Sequence, residues 1–319
     1  MSIYENPTAL TKPEYKYLFD IARDNRQDIV RVLFDKDNIY RFNADYGMLS
    51  ERNLDFALKA FDEIQGDEAY TDLCCILYVF IKNGVNPADI RPVPDGSVKA
   101  EFALMISFFA CVSEFCADAV KRGVDKEILS TTLKAVDMYI STSEKRLGIP
   151  GTSIYHGWLT RYAMGRIFRI GQFQFEVCNY DGNDLISVHI PRGTVLDVRE
   201  NLINFREALD FFKKYYSEYD FKAFWCSSWL INPHLEKIMG RATNITRFGD
   251  MFIRYKETQE EGVYSNVYGM SKPDNLDELP EETSLQRNIK NHLKDGNSFK
   301  DYRGYTDIER FYRLLSQVQ

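Results

Sequence analysis

The stretch that decides the fold runs from residue 169 to residue 193, RIGQFQFEVCNYDGNDLISVHIPRG. Its apolar residues alternate with polar ones, so the period is two, as in a half-buried strand. Gln172, Gln174 and Glu176 fall on one side, and Phe173, Phe175 and Val177 on the other. The Asp181-Gly182 pair reads as the tight turn of a hairpin, with LISVHI (185–190) as the returning strand. Pro191, Arg192 and Gly193 follow, and a helix begins near Val198 with Asp197 as its N-cap. A strand that feeds a helix through a glycine-containing loop sets backbone N–H groups and the positive helix end beside any anion. One Gly and one Arg fit an ordinary corner equally, because they specify far less than a full phosphate-binding motif.

C-terminal to this stretch the sequence predicts a helix to Tyr216, a third strand in FKAFWCSSWL (221–230), a short helix NPHLEKIM (232–239) and a fourth strand within NITRFGDMFIRYKE (244–257). An acidic linker, SKPDNLDELPEE (271–282), leads to a helix over TSLQRNIKNHLKDG (283–296), with Thr283 as cap and Gly296 as stop. A last helix is expected over Thr306 to Val318, with Ile308, Phe311, Leu314 and Leu315 as its apolar stripe.

N-terminal to it the period is that of helices from Glu14 to about Gly148. EYKYLFDIARDNRQDIVRVLF (14–34) places Tyr17, Leu18, Ile21, Ile29, Val32 and Leu33 largely on one face. Asn53 to Ile64 repeats the pattern. Asp67 to Asn83 and Lys99 to Lys121 are apolar around more of their circumference, which puts them at the centre of the unit. NPADIRPVPDGS (86–97) between them is a loop, since its prolines and glycine cannot continue a helix. A helix from Lys126 to Arg146 ends at Gly148, with Pro150 behind it, and a short helical stretch spans Tyr155 to Met164. The expected organisation is therefore a helical domain over 1–148 and a sheet domain over 149–319, an α+β chain.

Composition narrows the function. The 40 basic and 47 acidic residues give a net charge of −7, without the basic footprint that nucleic-acid binding requires. The N-terminus lacks a basic start followed by an apolar run, and the most apolar stretch, FALMISFFACVS (102–113), is short for a bilayer, so no membrane role is expected. Six cysteines without a CxxC pair suit a reducing cytosol, and no metal-binding spacing stands out. No GxSxG, HExxH, Walker A or dinucleotide fingerprint is present.

The order of strands and helices after residue 165 is that of the GNAT acyltransferase core. RIGQFQFE (169–176), VHIPRG (188–193), FWCSSWLINPHL (224–235), TNITRF (243–248) and LPEETSLQRNIKNHLKDG (279–296) resemble a bacterial acyltransferase family that joins a helical N-terminal domain to a GNAT-like C-terminal domain. The resemblance implies a mixed β-sheet with flanking helices, acetyl-CoA or another acyl-CoA as cofactor, no metal, and a small-molecule or peptide amine as acceptor in the cytoplasm. In that fold acyl-CoA lies where the sheet splits, and the pyrophosphate sits on a turn with two spaced glycines. Here PRGTVLD (191–197) has Gly193 directly after Arg192, with Val195 and Leu196 beyond it, so the spacing departs from that pattern. The candidate cofactor-binding residues are Ile190, Arg192, Gly193 and Thr194. N-acyl transfer needs a base for the amine proton and an acid for the departing thiolate. The candidate catalytic residues are Glu176, His189, Cys226 and Ser228, with Trp225 and Trp229 as core and pocket wall. The alternatives are a non-catalytic binding protein that keeps the fold, and a thiol enzyme that pairs Cys226 with His189.

Overall fold

The structure, a computed structural model, describes residues 11–87, 98–152 and 156–318. The chain divides into two compact units, Met1–Phe168 and Arg169–Gln319. The helices described in the first are α1 (Lys16–Asp24), α2 (Arg26–Leu33), α3 (Lys36–Tyr46), α4 (Glu51–Ile64), α5 (Glu68–Lys82), α6 (Val98–Lys121), α7 (Lys126–Leu147) and α8 (His156–Ala163). The stretch expected as one helix over 14–34 is two, broken at Asn25. Leu18, Phe19 and Ala22 of the first and Ile29 and Leu33 of the second are buried, while Tyr17 and Ile21 are exposed. Helices α5 and α6 form the centre, as their all-round apolar character predicts. Helix α6 extends well beyond the apolar run at 102–113. By length and composition it is apolar enough to cross a membrane, but 72% of its most apolar window is buried inside the protein. Helix α7 ends on Gly148, whose φ of +74° is the left-handed conformation of a C-cap. Most of the loop expected over 86–97, and Tyr155, lie outside the described residues.

The second unit is built on a six-stranded sheet in the order β1-β2-β3-β4-β6-β5. The strands are β1 (Ile167–Ile170), β2 (Phe173–Tyr180), β3 (Asn183–His189), β4 (Phe221–Ser228), β5 (Ile253–Glu257) and β6 (Tyr302–Asp307). Asp181 (φ 49°) and Gly182 (φ 77°) both sit at positive φ, the type I′ turn that matches the twist of a two-residue hairpin. That turn fixes the β2–β3 register, with Glu176 opposite Ser187 and Gln174 opposite His189. Helix α9 (Val198–Tyr215) follows, capped by Asp197, which accepts the Glu200 N–H at 3.1 Å. Then come α10 (His234–Met239), α11 (Asn244–Asp250), α12 (Ser284–Lys294) and α13 (Ile308–Ser316).

Three details depart from the sequence reading. Gln172 lies in the turn between β1 and β2 rather than on the strand. The first half of NITRFGDMFIRYKE is helix α11, capped by Thr243, so the strand is confined to its second half. Residues 302–307 form strand β6, which inserts between β4 and β5, and the last helix begins only at Ile308. Helix α12 has the expected cap in full form, as a capping box between Thr283 and Gln286.

Alternation along the strands gives the sheet two unlike faces. On one, Phe173 and Phe175 of β2 and Phe224 of β4 meet Phe205 of α9 at ring-centroid distances of 5.5, 5.5 and 4.7 Å. Phe248, Phe252 and Phe311 extend the cluster. The other face carries Gln174, Glu176, Ser187 and His189.

Near β6, Asp301 is 7% exposed and accepts the Gly262 N–H at 2.9 Å. Burial, with Glu260 nearby, pushes its carboxyl up to about 6 despite that bond. A folded pKa above the unfolded one favours the protonated fold, so this contribution is fully present below about 3.8 and is lost as pH rises through about 6. Asp301→Asn keeps an acceptor for Gly262 and removes the charge. It is expected to raise unfolding stability at pH 8 by on the order of 2 kcal/mol, with the gain gone below pH 4. Denaturant titrations at the two pH values measure the difference.

Candidate active site

Glu176 and His189 are diagonal neighbours on the polar face of the β2–β3 hairpin, and His189 Nε2 lies 2.8 Å from Glu176 Oε2. Both side chains are largely buried, at 11% and 18% exposure. An ionised Glu176 accepts from Nε2–H and so fixes the tautomer of the neutral ring. A carboxylate that orients a histidine in this way also steadies the imidazolium formed when the ring takes up a proton. The sequence offered these two residues as separate candidates, and the hairpin register makes them one unit.

The pair stands beside an opening in the sheet. Strands β3 and β4 run parallel, and their paired register extends from Asp184 opposite Phe221 to Ser187 opposite Trp225, while β3 continues to His189 and β4 to Ser228. Past Ser187 no further β3–β4 pair forms, so the ladder is open at the C-terminal ends of the two strands. In open α/β sheets ligands enter at such ends.

Cys226 and Ser228 do not join the pair. Ser187 and Trp225 share one face, so the alternate residues Cys226 and Ser228 point to the other, with Phe224. Cys226 is fully buried, and burial pushes its thiol well up, so it remains a thiol at neutral pH. The expected Cys226–His189 couple therefore does not form. The Ser228 hydroxyl accepts the Leu230 N–H at 3.1 Å and caps the short turn after β4. Ser227 is the serine on the face of His189.

The turn after β3 closes through the Thr194 N–H, which donates to the Pro191 carbonyl at 3.2 Å, with Gly193 at φ +85°. The Thr194 hydroxyl bonds the same carbonyl at 2.7 Å. Val195 donates its N–H to Gln172 Oε1 at 2.8 Å, and Asp197 occupies the helix end. The Gln172 backbone is held in turn by Asn204 Oδ1 at 3.0 Å. Ile190 leads into the turn, where Arg192 and Gly193 are exposed, and a Cβ at Gly193 would meet nothing within 4 Å. Several donors of a phosphate cradle are thus present but engaged with groups of the same chain. A pyrophosphate at this turn would displace Gln172 from Val195 and meet Arg192 from solvent.

With this geometry in view, residues 167–306 match the family model of the GNAT-like C-terminal domain. Solved acyltransferases share the fold of nearly the whole chain. A mutant acyltransferase, orf11*, in complex with octanoyl-CoA aligns with TM-score 0.71 and 21% identity over 89% of this chain and 88% of that one. An acyltransferase in complex with CoA and 10C-teicoplanin aligns with TM-score 0.68 and 23% identity over 82% and 88%. One in complex with decanoyl-CoA and teicoplanin gives 0.67 and 22% over 89% and 88%. No curated protein matches the sequence.

Sequence reasoning did not single out Gln172 as the partner of the turn, nor Arg303, which reaches the polar face from the unforeseen strand β6. The burial of Cys226 has a direct consequence. A thiol reagent should label the half-buried Cys178 in the folded protein and reach Cys226 only on unfolding, as peptide mapping of the labelled protein would show. Native labelling of Cys226 would contradict its placement.

Proposed function

We propose that the second unit transfers an acyl group from acyl-CoA to an amine. The observation that carries this reading is the Glu176–His189 pair at 2.8 Å on the sheet face beside the β3–β4 opening. The GNAT-like domain and the similarity to acyltransferases solved with octanoyl-CoA and decanoyl-CoA support the donor class, and they point to medium acyl chains as first choices. A non-catalytic role is not favoured by these relatives.

In this reading His189 Nδ1 takes the proton from the acceptor amine as its nitrogen forms the C–N bond to the thioester carbonyl. Glu176 holds the imidazolium through Nε2. The C–S bond then breaks, and the thiolate leaves as the CoA thiol by taking up the proton that His189 removed from the amine. Arg192 and the backbone of Gly193 would hold the pyrophosphate, with the Val195 N–H released by Gln172. The acceptor is a small molecule or a peptide amine; teicoplanin is bound by two of the similar proteins. The protein is proposed to act in the cytoplasm.

Octanoyl-CoA at 100 times its dissociation constant should add about 2.7 kcal/mol to unfolding stability. His189→Gln should cut turnover by about 10²–10⁴, and Glu176→Gln by less, while both keep the octanoyl-CoA-induced rise in melting temperature. Absence of any rise with saturating octanoyl-CoA and decanoyl-CoA would sink the donor, and unchanged turnover in both variants would remove the pair from the mechanism.

A further inference from the structure

The polar face of the sheet carries a second group of side chains that the transfer step does not use. Tyr180 stacks on Trp225 with ring centroids 6.3 Å apart, and the Trp225 indole N–H donates to the Tyr255 hydroxyl at 3.1 Å. Tyr255 in turn lies 6.0 Å from Tyr305. Tyr180, Tyr255 and Tyr305 are 41%, 45% and 36% exposed, so an aromatic surface stays open to solvent across β2, β4, β6 and β5. The Arg303 guanidinium stands 6.0 Å from the Trp225 ring centroid, yet its Nε–H is buried and has no hydrogen-bond partner among the described residues. A buried charged donor left unmet is costly, and an anionic acceptor gives a guanidinium its strongest hydrogen bond.

The register ties this surface to the catalytic pair. Glu176 is opposite Ser187, Ser187 opposite Trp225, and Trp225 opposite Tyr305, so these four lie in one row across the face. Ser227 is opposite Arg303 in the next row, toward the end where β3 carries His189. Two strand spacings of about 4.8 Å separate β3 from β6, so roughly 10 Å, widened by the opening, lies between His189 and Arg303. Two extended residues span about 7 Å, and a hydrogen bond of about 3 Å at each end bridges that gap.

We propose that this surface binds the acceptor, and that the acceptor is a short peptide, about two residues long, ending in an aromatic residue. The terminal carboxylate meets Arg303, the ring lies on Trp225 and its neighbouring tyrosines, and the free amine reaches His189. This assignment rests on the acyl-transfer reading and names the substrate class of that site.

The test uses the full chain, octanoyl-CoA as donor and release of the CoA thiol as signal, with glycyl-tyrosine, glycyl-tyrosinamide and glycyl-alanine as acceptors. Glycyl-tyrosine is expected to show a KM about tenfold below those of the other two, the scale of one charge-assisted contact. Arg303→Gln should raise its KM to that of the amide, leave kcat and the amide's KM unchanged, and be partly rescued in Arg303→Lys. Tyr305→Leu should raise KM for both tyrosine-containing acceptors and not for glycyl-alanine. An unchanged octanoyl-CoA-induced rise in melting temperature shows that each variant is folded. Equal KM for acid and amide in the wild type, or an equal effect of Arg303→Gln on both, would overturn the proposal. If no peptide turns over, saturation-transfer NMR with glycyl-tyrosine decides. Binding lost in Arg303→Gln upholds the site, and no binding removes it. The octanoyl-CoA response separately decides whether acyl transfer itself stands.

Discussion

Everything in the second unit follows from the aromatic contact between Phe205 of α9 and the three phenylalanines Phe173, Phe175 and Phe224 beneath it. Those rings commit one face of β2, β3 and β4 to the core, and strand alternation then leaves the other face to Gln174, Glu176, Ser187 and His189. A slip of one residue in the hairpin would send Glu176 into the phenylalanines. The Asp181-Gly182 turn prevents it, because both residues take the positive φ that a two-residue hairpin demands. Core packing and site geometry are therefore one constraint: the register that buries the aromatic rings is the register that sets His189 diagonally from Glu176.

The same alternation sorts β4. Phe224, Cys226 and Ser228 serve the core and the strand end, whereas Trp225 and Ser227 face the polar side. The Cys226 thiol is thus sealed away from the polar face. The first unit follows the ordinary rule for helical domains, with its two most apolar helices, α5 and α6, buried against each other and amphipathic helices outside them.

Much of this was legible in the sequence. The change of period near residue 170, the Asp-Gly turn, the Asp197 cap and the Thr283 cap are local signals whose physics acts over a few residues, and the structure keeps each of them. Glu176 and His189 were both visible as polar residues on strands. That they touch was not, because contact depends on register rather than on composition. Strand β6 was missed for a related reason. YRGYTD has a glycine in its middle and runs straight into an amphipathic helix, and only the free edges of β4 and β5 make a strand of it. The helix α11 was hidden by reading across Thr243, whose cap bond to Thr246 starts a helix where a strand was expected. Arg303 and Tyr305 went unremarked because they lie on that missed strand.

Gln172 gives the turn after β3 a property that a bare loop lacks. Its side-chain oxygen rests on the Val195 N–H, while its own backbone is pinned by Asn204. The carboxamide oxygen stands where an anionic oxygen could accept, and its hydrogen bond holds the loop in this shape. Occupation becomes an exchange of one acceptor for another on a ready-made donor. Such an exchange discriminates by strength: a neutral oxygen gains nothing by replacing an amide carbonyl, while a charged one does. At this turn a charged oxygen would therefore compete with Gln172 for the Val195 N–H better than a neutral one.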